Sequence, residues 1–288
     1  MPLQPKIEDW TGRDVTVAAI ERELARLRQE IGGASAQRTS VMTHAAWVPP
    51  SWLGAAEATL AGLAERHPSR TVILVPKPDE PNGLDADLSV RCFPAGETHV
   101  CGEVIQLQLR GNRTYAPASL VLPLAISDLP VFCRWRGEPP FGQPEWEQLV
   151  EVADRIIVDS SEWEQLAYDE LAGIFDRTAA SDIAWRRTYE WRVELAKYWP
   201  AIREQEIRVR GPRAEATLLR AWLNARLDRA IRPIEAAPEL GVRLGGEDVR
   251  PPRAPRLDPS ELLSAELDSF ARDRTYEEAL RAAAYALG

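Results

Sequence analysis

Hydrophobic residues between positions 41 and 161 occur in short runs that alternate with stretches of helical periodicity. Short runs bounded by turn residues are typical of strands, whereas apolar positions three or four residues apart are typical of helices. The predicted strands are 41–48, 71–75, 88–93, 100–109, 130–135 and 155–158, and the predicted helices are 52–66, 115–122 and 144–152. This alternation predicts an α/β layer domain.

The predicted strands 88–93 and 100–109 are separated only by the segment PAGETH. A crossover to a parallel neighbour needs about a dozen residues or more, so strands this close form an antiparallel hairpin. The sheet is therefore predicted to be mixed rather than purely parallel.

The pattern after residue 163 is mainly helical. Residues 182–199 are predicted to form one helix, with Trp185 and Tyr189 on one face and Trp191 and Leu195 on another. A helix that is apolar on two faces is usually packed between two layers. The other predicted elements are strands at 206–210 and 242–244, an extended connector at 250–255, and helices at 214–227, 259–270 and 276–287.

These elements predict an N-terminal mixed-sheet α/β layer domain followed by a smaller, mainly helical α+β domain. A chain of 288 residues is long enough for two such cores. The predicted boundaries are 1–40 for an N-terminal amphipathic helix and linker, 41–170 for the α/β domain, and 171–288 for the helical α+β domain with its C-terminal helices.

Residues 14–31 form the predicted N-terminal helix. Its apolar stripe consists of Val17, Ile20, Leu24, Leu27 and Ile31, with charged residues between them. One interpretation is a helix laid across its own domain, and the alternative is a zipper against a partner chain. Fewer than three heptads are present, which favours the first interpretation.

Charge and composition narrow the classes of function. The net charge of -9 and the pI of about 5.1 oppose nucleic-acid binding, which needs a basic surface. No run approaches the ~20 apolar residues of a transmembrane helix, and no signal peptide is recognisable. We therefore expect a cytoplasmic protein that binds neither nucleic acid nor membrane.

Familiar signatures of catalysis are absent from the sequence. It contains no G-x-G-x-x-G, no G-x-x-x-x-G-K-[ST], no H-E-x-x-H and no G-x-S-x-G. The three histidines, His44, His67 and His99, lie on separate elements without the spacing of metal ligands. The sequence therefore predicts no catalytic residue, no metal and no cofactor.

One enzymatic alternative stays open, because ligands of open α/β sheets bind outside the carboxyl ends of the strands. The polar residues predicted there are Lys77, Arg134, Arg136, Asp159, Ser160 and Ser161. Such a set is able to hold a sugar phosphate through charge-assisted hydrogen bonds. Ordinary polar strand ends are the simpler interpretation.

Two of the three cysteines lie symmetrically about the predicted hairpin turn. Cys92 and Cys101 would be cross-strand neighbours there, at a separation that permits a disulfide. In a reducing cytosol we expect two packed thiols rather than a redox switch.

Several segments taken together resemble the glucose-6-phosphate dehydrogenase assembly protein family, OpcA. The segments are ERHPSRT (65–71), CGE (101–103), DLPVF (128–132), DRIIVDS (154–160), AWRR (184–187) followed by Trp191, and LLRAWL (218–223). Their order and spacing match as well. The resemblance covers roughly residues 41–244.

The resemblance implies a non-catalytic protein that promotes assembly or allosteric activation of glucose-6-phosphate dehydrogenase, in the oxidative pentose phosphate pathway. NADP would then bind the dehydrogenase, in agreement with the missing dinucleotide motif. The alternative is an α/β enzyme that binds a sugar phosphate in the strand-end crevice.

An assembly protein needs a partner-binding surface, for which two segments are predicted. The first is the loop 135–142, through Trp135, Arg136 and Phe141, because an aromatic ring, a guanidinium and a stiff Pro-Pro turn are typical of interface hot spots. The second is the helix start formed by Trp185, Arg186 and Arg187. Structural roles compete: Phe141 as a plug of its domain, and Arg187 in an ion pair across the domain seam.

Overall fold

The computed structural model describes residues 6–32, 36–37, 40–63, 66–67, 69–95, 98–253 and 255–287. The chain forms two compact units, unit 1 (Met1–Ile156) and unit 2 (Ile157–Gly288). Each unit has its own set of buried apolar residues.

Unit 1 contains a mixed sheet with helices. Its strands are β1 (Lys6–Gly12), β2 (Ala36–Gln37), β3 (Thr43–Trp47), β4 (Arg70–Lys77), β5 (Gly83–Ala95), β6 (Thr98–Arg110) and β7 (Val131–Trp135). Its helices are α1 (Val17–Gly32), α2 (Leu53–Leu63), α3 (Ala118–Leu124) and α4 (Pro144–Val152). Strand β8 (Arg155–Val158) carries the chain into unit 2.

The strand order in unit 1 is β1-β5-β6-β4-β3-β7, and β8 follows β7 in the same order. Strands β5 and β6 are antiparallel, as predicted for the hairpin, and their register places Cys92 opposite Cys101. Strand β4 is parallel to both β6 and β3, and β3 is parallel to β7. The predicted mixed sheet is therefore confirmed.

The N-terminal segment contains a strand that the sequence did not predict. Strand β1 pairs antiparallel with β5 along its full length. Its sequence, KIEDWTG, lacks the apolar alternation by which a half-buried strand is recognised. The apolar stripe of α1 is buried within unit 1, at Ile20, Leu24, Leu27 and Ile31. This burial favours a helix packed on its own domain over a zipper.

Arg70, in the middle of unit 1, is a buried cation that links three elements. Its Nε donates to Glu103 on β6 at 2.6 Å. Its Nη1 donates to Glu21 on α1 at 2.5 Å and to the carbonyl oxygen of Leu124 at 2.8 Å. A buried charge with several partners fixes the elements that supply them, so this arginine of the ERHPSRT segment has a structural role.

Unit 2 is mainly helical, with short strands. Its helices are α5 (Tyr168–Ala172), α6 (Ile183–Arg187), α7 (Tyr189–Ala196), α8 (Arg213–Leu227), α9 (Pro259–Leu267) and α10 (Arg274–Leu287). Its strands are β9 (Ala179–Asp182), β10 (Ile207–Gly211), β11 (Glu235–Ala236), β12 (Gly241–Leu244) and β13 (Glu247–Asp248). The last four form a separate sheet in the order β11-β10-β12-β13. Leu219 and Leu223 of α8 belong to the same buried cluster as Val209 and Val242 of this sheet.

The single helix predicted for residues 182–199 is wrong. Asp182 ends β9 and caps α6, which stops at Arg187, and α7 starts at Tyr189. The break lies at Thr188, whose hydroxyl donates to the carbonyl oxygen of Trp185 at 2.8 Å. A Thr hydroxyl that bonds back to the preceding turn competes with helix continuation and bends the chain.

Candidate partner-binding surfaces

The loop after β7 rests on three indole rings. Trp135 stacks on Trp47, with ring centroids 4.8 Å apart and an interplanar angle of 10°, and Trp146 meets it edge-on at 5.2 Å. Trp135 is only 2% exposed. Trp135 therefore supports the loop from inside unit 1. Its buried ring is not accessible for the predicted contact with a partner.

The other two residues predicted in this loop lie nearer the surface. The Arg136 guanidinium lies over the ring of Trp52, 4.6 Å from its centroid. Phe141 meets Trp146 edge-on at 5.2 Å, which agrees with the alternative that it plugs its own domain. The loop is held in shape by ring contacts and presents a half-buried Arg136 and an exposed Glu138.

Two glycines make this loop possible. Gly137 and Gly142 have φ angles of 78° and 75°, in the region where a side chain is strained. Between them, the backbone N–H of Phe141 donates to the carbonyl oxygen of Pro139 at 3.0 Å. The loop is thus ordered by its own backbone as well as by the rings beneath it.

The second predicted surface, at the start of α6, is used by unit 2 itself. Trp185 is 3% exposed, and its Nε1 donates to Asp273 at 2.9 Å. Arg186 donates to Glu266 at 2.6 Å through Nε and to the carbonyl oxygen of Ala265 through Nη2. The side chains of Arg186 and Arg187 are each partly exposed. A contact with a partner through these two arginines stays a prediction.

Arg187 pairs with carboxylates of its own unit 2, and not across a seam between domains as the structural alternative supposed. Its Nη2 donates to Asp159 Oδ2 at 2.7 Å and its Nη1 to Asp159 Oδ1 at 3.0 Å. Nη1 also contacts Glu215 at 3.3 Å and Ser161 Oγ at 3.0 Å. Burial works against the charge of Arg187, but the bonds to Asp159 and the field of Glu215 outweigh it and raise the pKa of the guanidinium.

The residues considered for a sugar-phosphate crevice contact their own neighbours. Lys77 pairs with Glu80 at 3.1 Å. The buried Arg134 donates through Nη1 to the carbonyl oxygen of Trp135. Asp159 is held by Arg187, and Ser161 Oγ donates to Asp159 at 2.6 Å. These contacts are those of ordinary polar strand ends, and they do not favour the enzymatic alternative.

Sequence reasoning did not identify a buried polar cluster in unit 2, centred on Asp182. The fully buried carboxylate accepts from the backbone N–H of Ala184 at 2.8 Å and of Ser160 at 3.1 Å. It also accepts from Ser160 Oγ at 2.6 Å, and that hydroxyl lies 3.0 Å from the Tyr168 hydroxyl. An Asp before a helix signals an N-cap, but nothing in its sequence context signals burial.

The environment of Asp182 changes its acidity. Burial, and then the negative charge of Asp159, raise the pKa of Asp182 to about 7. The hydrogen bonds from Ser160 and Ala184 act in the opposite direction. The carboxyl group therefore takes up a proton within the physiological pH range.

The buried His44 and Cys133 of unit 1 are both uncharged at neutral pH. Burial, with the nearby positive charge of Arg134, lowers the pKa of His44 to about 4. Burial raises the pKa of the Cys133 thiol to about 12, so the reactive thiolate is rare at neutral pH. The side chains of Cys92 and Cys101 lie outside the described residues, and the expectation of two packed thiols stays a prediction.

The described residues contain no group of three or more His, Cys, Asp or Glu side chains placed to hold a metal ion. Among the helices of those same residues, none combines the length and the apolar character that a bilayer crossing requires.

The fold defines an α/β protein. The side chains predicted for partner or ligand binding make contacts with other residues of their own unit. Comparison with known proteins is more specific. Residues 61–172 match the family model described as "Glucose-6-phosphate dehydrogenase subunit N-terminal domain". The resemblance to the OpcA family is thereby confirmed, and it rests on that part of the chain.

Three curated relatives carry the name "Putative OxPP cycle protein OpcA", among them proteins from Synechocystis sp. and Nostoc punctiforme. The protein from Synechocystis sp. is 27% identical over 182 residues, which cover 57% of this chain and 38% of the relative. The protein from Nostoc punctiforme is 28% identical over 187 residues, which cover 58% of this chain and 39% of the relative. The match thus spans about two fifths of the length of these relatives.

Proposed function

We propose that this chain is a non-catalytic accessory protein that promotes the assembly or the allosteric activation of glucose-6-phosphate dehydrogenase in the cytoplasm. The observation that carries the proposal is the match of residues 61–172 to a domain described as part of a glucose-6-phosphate dehydrogenase subunit. The names of the relatives, which refer to the OxPP cycle, support the same pathway.

The geometry of unit 1 supports a role in binding a protein. The loop 135–142 stands on the rings of Trp47, Trp135 and Trp146, and Arg136 is laid on Trp52. A loop that is already ordered loses little conformational entropy when a partner binds, which favours affinity. We therefore assign this loop as a contact with the dehydrogenase, through Arg136 and the turn residues beside it.

The test is enzymatic and hydrodynamic. Glucose-6-phosphate dehydrogenase from the same cells is assayed with increasing amounts of the chain, while light scattering coupled to gel filtration reports its oligomer size. We expect a lower KM, a higher kcat, or both, with saturation at a fixed molar ratio. An unchanged rate and an unchanged oligomer size at every ratio would remove the proposal.

A further inference from the structure

Helix α7 and the turn after it expose an unusual number of large apolar side chains. Tyr189 is 48% exposed, Val193 43% and Trp199 53%, and Tyr198 is exposed as well. These four residues are called the α7 surface here. Single exposed apolar residues are normal on a protein, whereas neighbouring ones that form a contiguous patch mark an interaction site.

The opposite face of α7 fixes this surface in place. Trp191 and Leu195 are buried in the core that also contains Leu219 and Val209. Tyr189 and Val193 are four residues apart, which places them one turn apart on the outward face of the helix. The exposed side chains therefore stand on an anchored helix.

Arg192 lies beside this surface without an anionic partner. Its guanidinium lies 3.5 Å from the ring centroid of Trp185 and 5.6 Å from that of Tyr189, and Nε donates to Thr188 Oγ1 at 3.1 Å. Within the described part of the chain, no carboxylate lies within 4.0 Å of it, and Nη1 and Nη2 have no acceptor. Neither nitrogen is among the buried atoms without a partner, so both donors are accessible to a ligand from outside unit 2.

The nearest acids are already engaged. Asp273, which acts on Arg192 through its charge, accepts from Trp185 Nε1 with Oδ2 and from the Tyr276 backbone N–H with Oδ1, both at 2.9 Å. Glu266 accepts from Arg186. Burial lowers the pKa of Arg192 to about 10, a sign that its charged form lacks a close counter-ion.

We propose that the α7 surface is a second docking site for the dehydrogenase, and that a carboxylate of the partner pairs with Arg192 while apolar side chains cover Tyr189, Val193 and Trp199. This inference rests on the proposed function. A guanidinium with two unused donors binds a carboxylate in a bidentate manner, and the surrounding rings exclude water from the pair. The chemistry of the surface thus selects an acidic segment with apolar neighbours on a protein.

The composition of the surface fits this occupant. Tyr, Trp and Arg are the residue types most enriched among interface hot spots. Arg203 lies over the Trp199 ring, 5.3 Å from its centroid, and so restricts that ring before a partner arrives. A small phosphorylated ligand would leave the apolar rings uncovered, and a second copy of this chain would show as self-association.

The test uses the full chain and the dehydrogenase. Val193→Glu places a charge on the outward face of α7, one turn from Tyr189, and Leu257→Glu is the matched control, because Leu257 is 42% exposed but does not belong to the α7 surface. We expect Val193→Glu to weaken binding about tenfold or more with an unchanged melting temperature, and Leu257→Glu to bind like the parent. If both variants bind like the parent, or if both lose affinity equally, the inference is wrong.

Two further variants separate charge from packing. Arg192→Met keeps a long side chain over Trp185 but removes the charge, so binding should weaken and lose part of its salt dependence. Tyr189→Ala should weaken binding, while the salt dependence of binding and the melting temperature stay unchanged. Light scattering of the chain alone covers the remaining occupant: a dimer that Val193→Glu dissociates would assign the surface to self-association and overturn the inference.

The outcomes also distinguish this inference from the proposed function. A parent chain that neither binds nor activates the dehydrogenase overturns both. A parent that activates, together with a Val193→Glu variant that activates and binds equally well, overturns only the docking site on α7.

Discussion

At the scale of single residues, Asp182 is expected to make the stability of unit 2 depend on pH. Its folded-state pKa is about 7, well above the ordinary pKa of 3.8 expected in the unfolded chain. The folded state therefore binds the proton more tightly, and stability falls as the pH rises from about 4 to about 7. Between about pH 5 and pH 8 the loss is on the order of 2–3 kcal/mol.

The measurement compares thermal melts of the parent and of Asp182→Asn across this pH range. The amide keeps an acceptor for the N–H groups of Ser160 and Ala184 and donates to Ser160 Oγ, so the cap survives without a titrating group. We expect the variant to gain stability relative to the parent as the pH rises. Parallel curves for the two proteins would contradict the assignment of a raised pKa to Asp182.

The other titrating groups explain why the variant is needed. His44 has a lowered pKa of about 4, so its contribution to stability increases over part of the same pH range and opposes that of Asp182. The groups that interact with Asp182 are Asp159, Ser160, Tyr168, Tyr276 and, through its charge, Arg187. Burial raises the pKa values of both tyrosines well above the ordinary value of the side chain, so neither titrates in the window. Only the difference between parent and variant isolates Asp182.

At the scale of elements, the loop 135–142 contains two residues with different expected roles. Trp135 supports the loop, and Arg136 is the proposed contact with the partner. Trp135→Ala removes a buried ring that contacts Trp47 and Trp146, and we expect a loss of about 3–5 kcal/mol of stability. Arg136→Ala removes a half-buried guanidinium on Trp52 and should leave the melting temperature nearly unchanged. If Arg136 is a hot spot, binding to the dehydrogenase weakens about thirtyfold, or ~2 kcal/mol.

A matched control for this prediction is Arg26→Ala. Arg26 is an exposed arginine of α1 that pairs with Glu23 and Glu30 of the same helix. Exposed pairs of this kind contribute little to stability. Affinity that is lost equally in Arg136→Ala and Arg26→Ala would indicate a general effect of charge, and unchanged affinity in Arg136→Ala would remove the loop from the interface.

The elements differ in how well the sequence predicts them. Strand β4 is a buried apolar run, β6 alternates buried apolar residues with polar ones, and α4 has a proline at its start, so pattern and turn chemistry locate all three well. Strand β1 is polar, because its place at the end of the strand order demands little burial, and periodicity therefore misses it. The break at Thr188 depends on one hydroxyl bond, which propensity does not register.

The candidate site was harder to predict than the elements, for a related reason. Trp135 and Trp185 have the composition of interface residues, yet both are buried. Composition gives the chemistry of a side chain but not the direction in which it points. The α7 surface is defined by exposure, which the sequence does not give: Trp191 is buried in the core, whereas Tyr189 and Val193 are exposed.

At the scale of the whole molecule, the described helices offer few places for the phosphates of a dinucleotide. Phosphate binds at helix N-termini that present free backbone N–H groups, usually after a glycine-rich turn. Several first turns already carry carboxylates: Asp182 caps α6, Asp258 caps α9, Glu145 and Glu147 lie in the first turn of α4, and Glu215 lies in that of α8. These negative charges disfavour a second anion at the same helix ends. The first turns of α1, α2 and α3 carry none, but no glycine-rich turn precedes these helices.

We therefore expect the purified chain to bind no NADP and to turn over neither glucose 6-phosphate nor its lactone. Isothermal titration with NADP should give only heats of dilution for this chain, whereas the dehydrogenase measured in the same buffer should give a saturating isotherm. The reason is physical, since the Arg134 guanidinium donates to the backbone of Trp135, Lys77 pairs with Glu80, and the carboxylates at the helix starts repel phosphate. Turnover that co-purifies with the chain at constant specific activity would show that the chain is itself an enzyme, and micromolar affinity for NADP would contradict the expectation that NADP binds only the dehydrogenase.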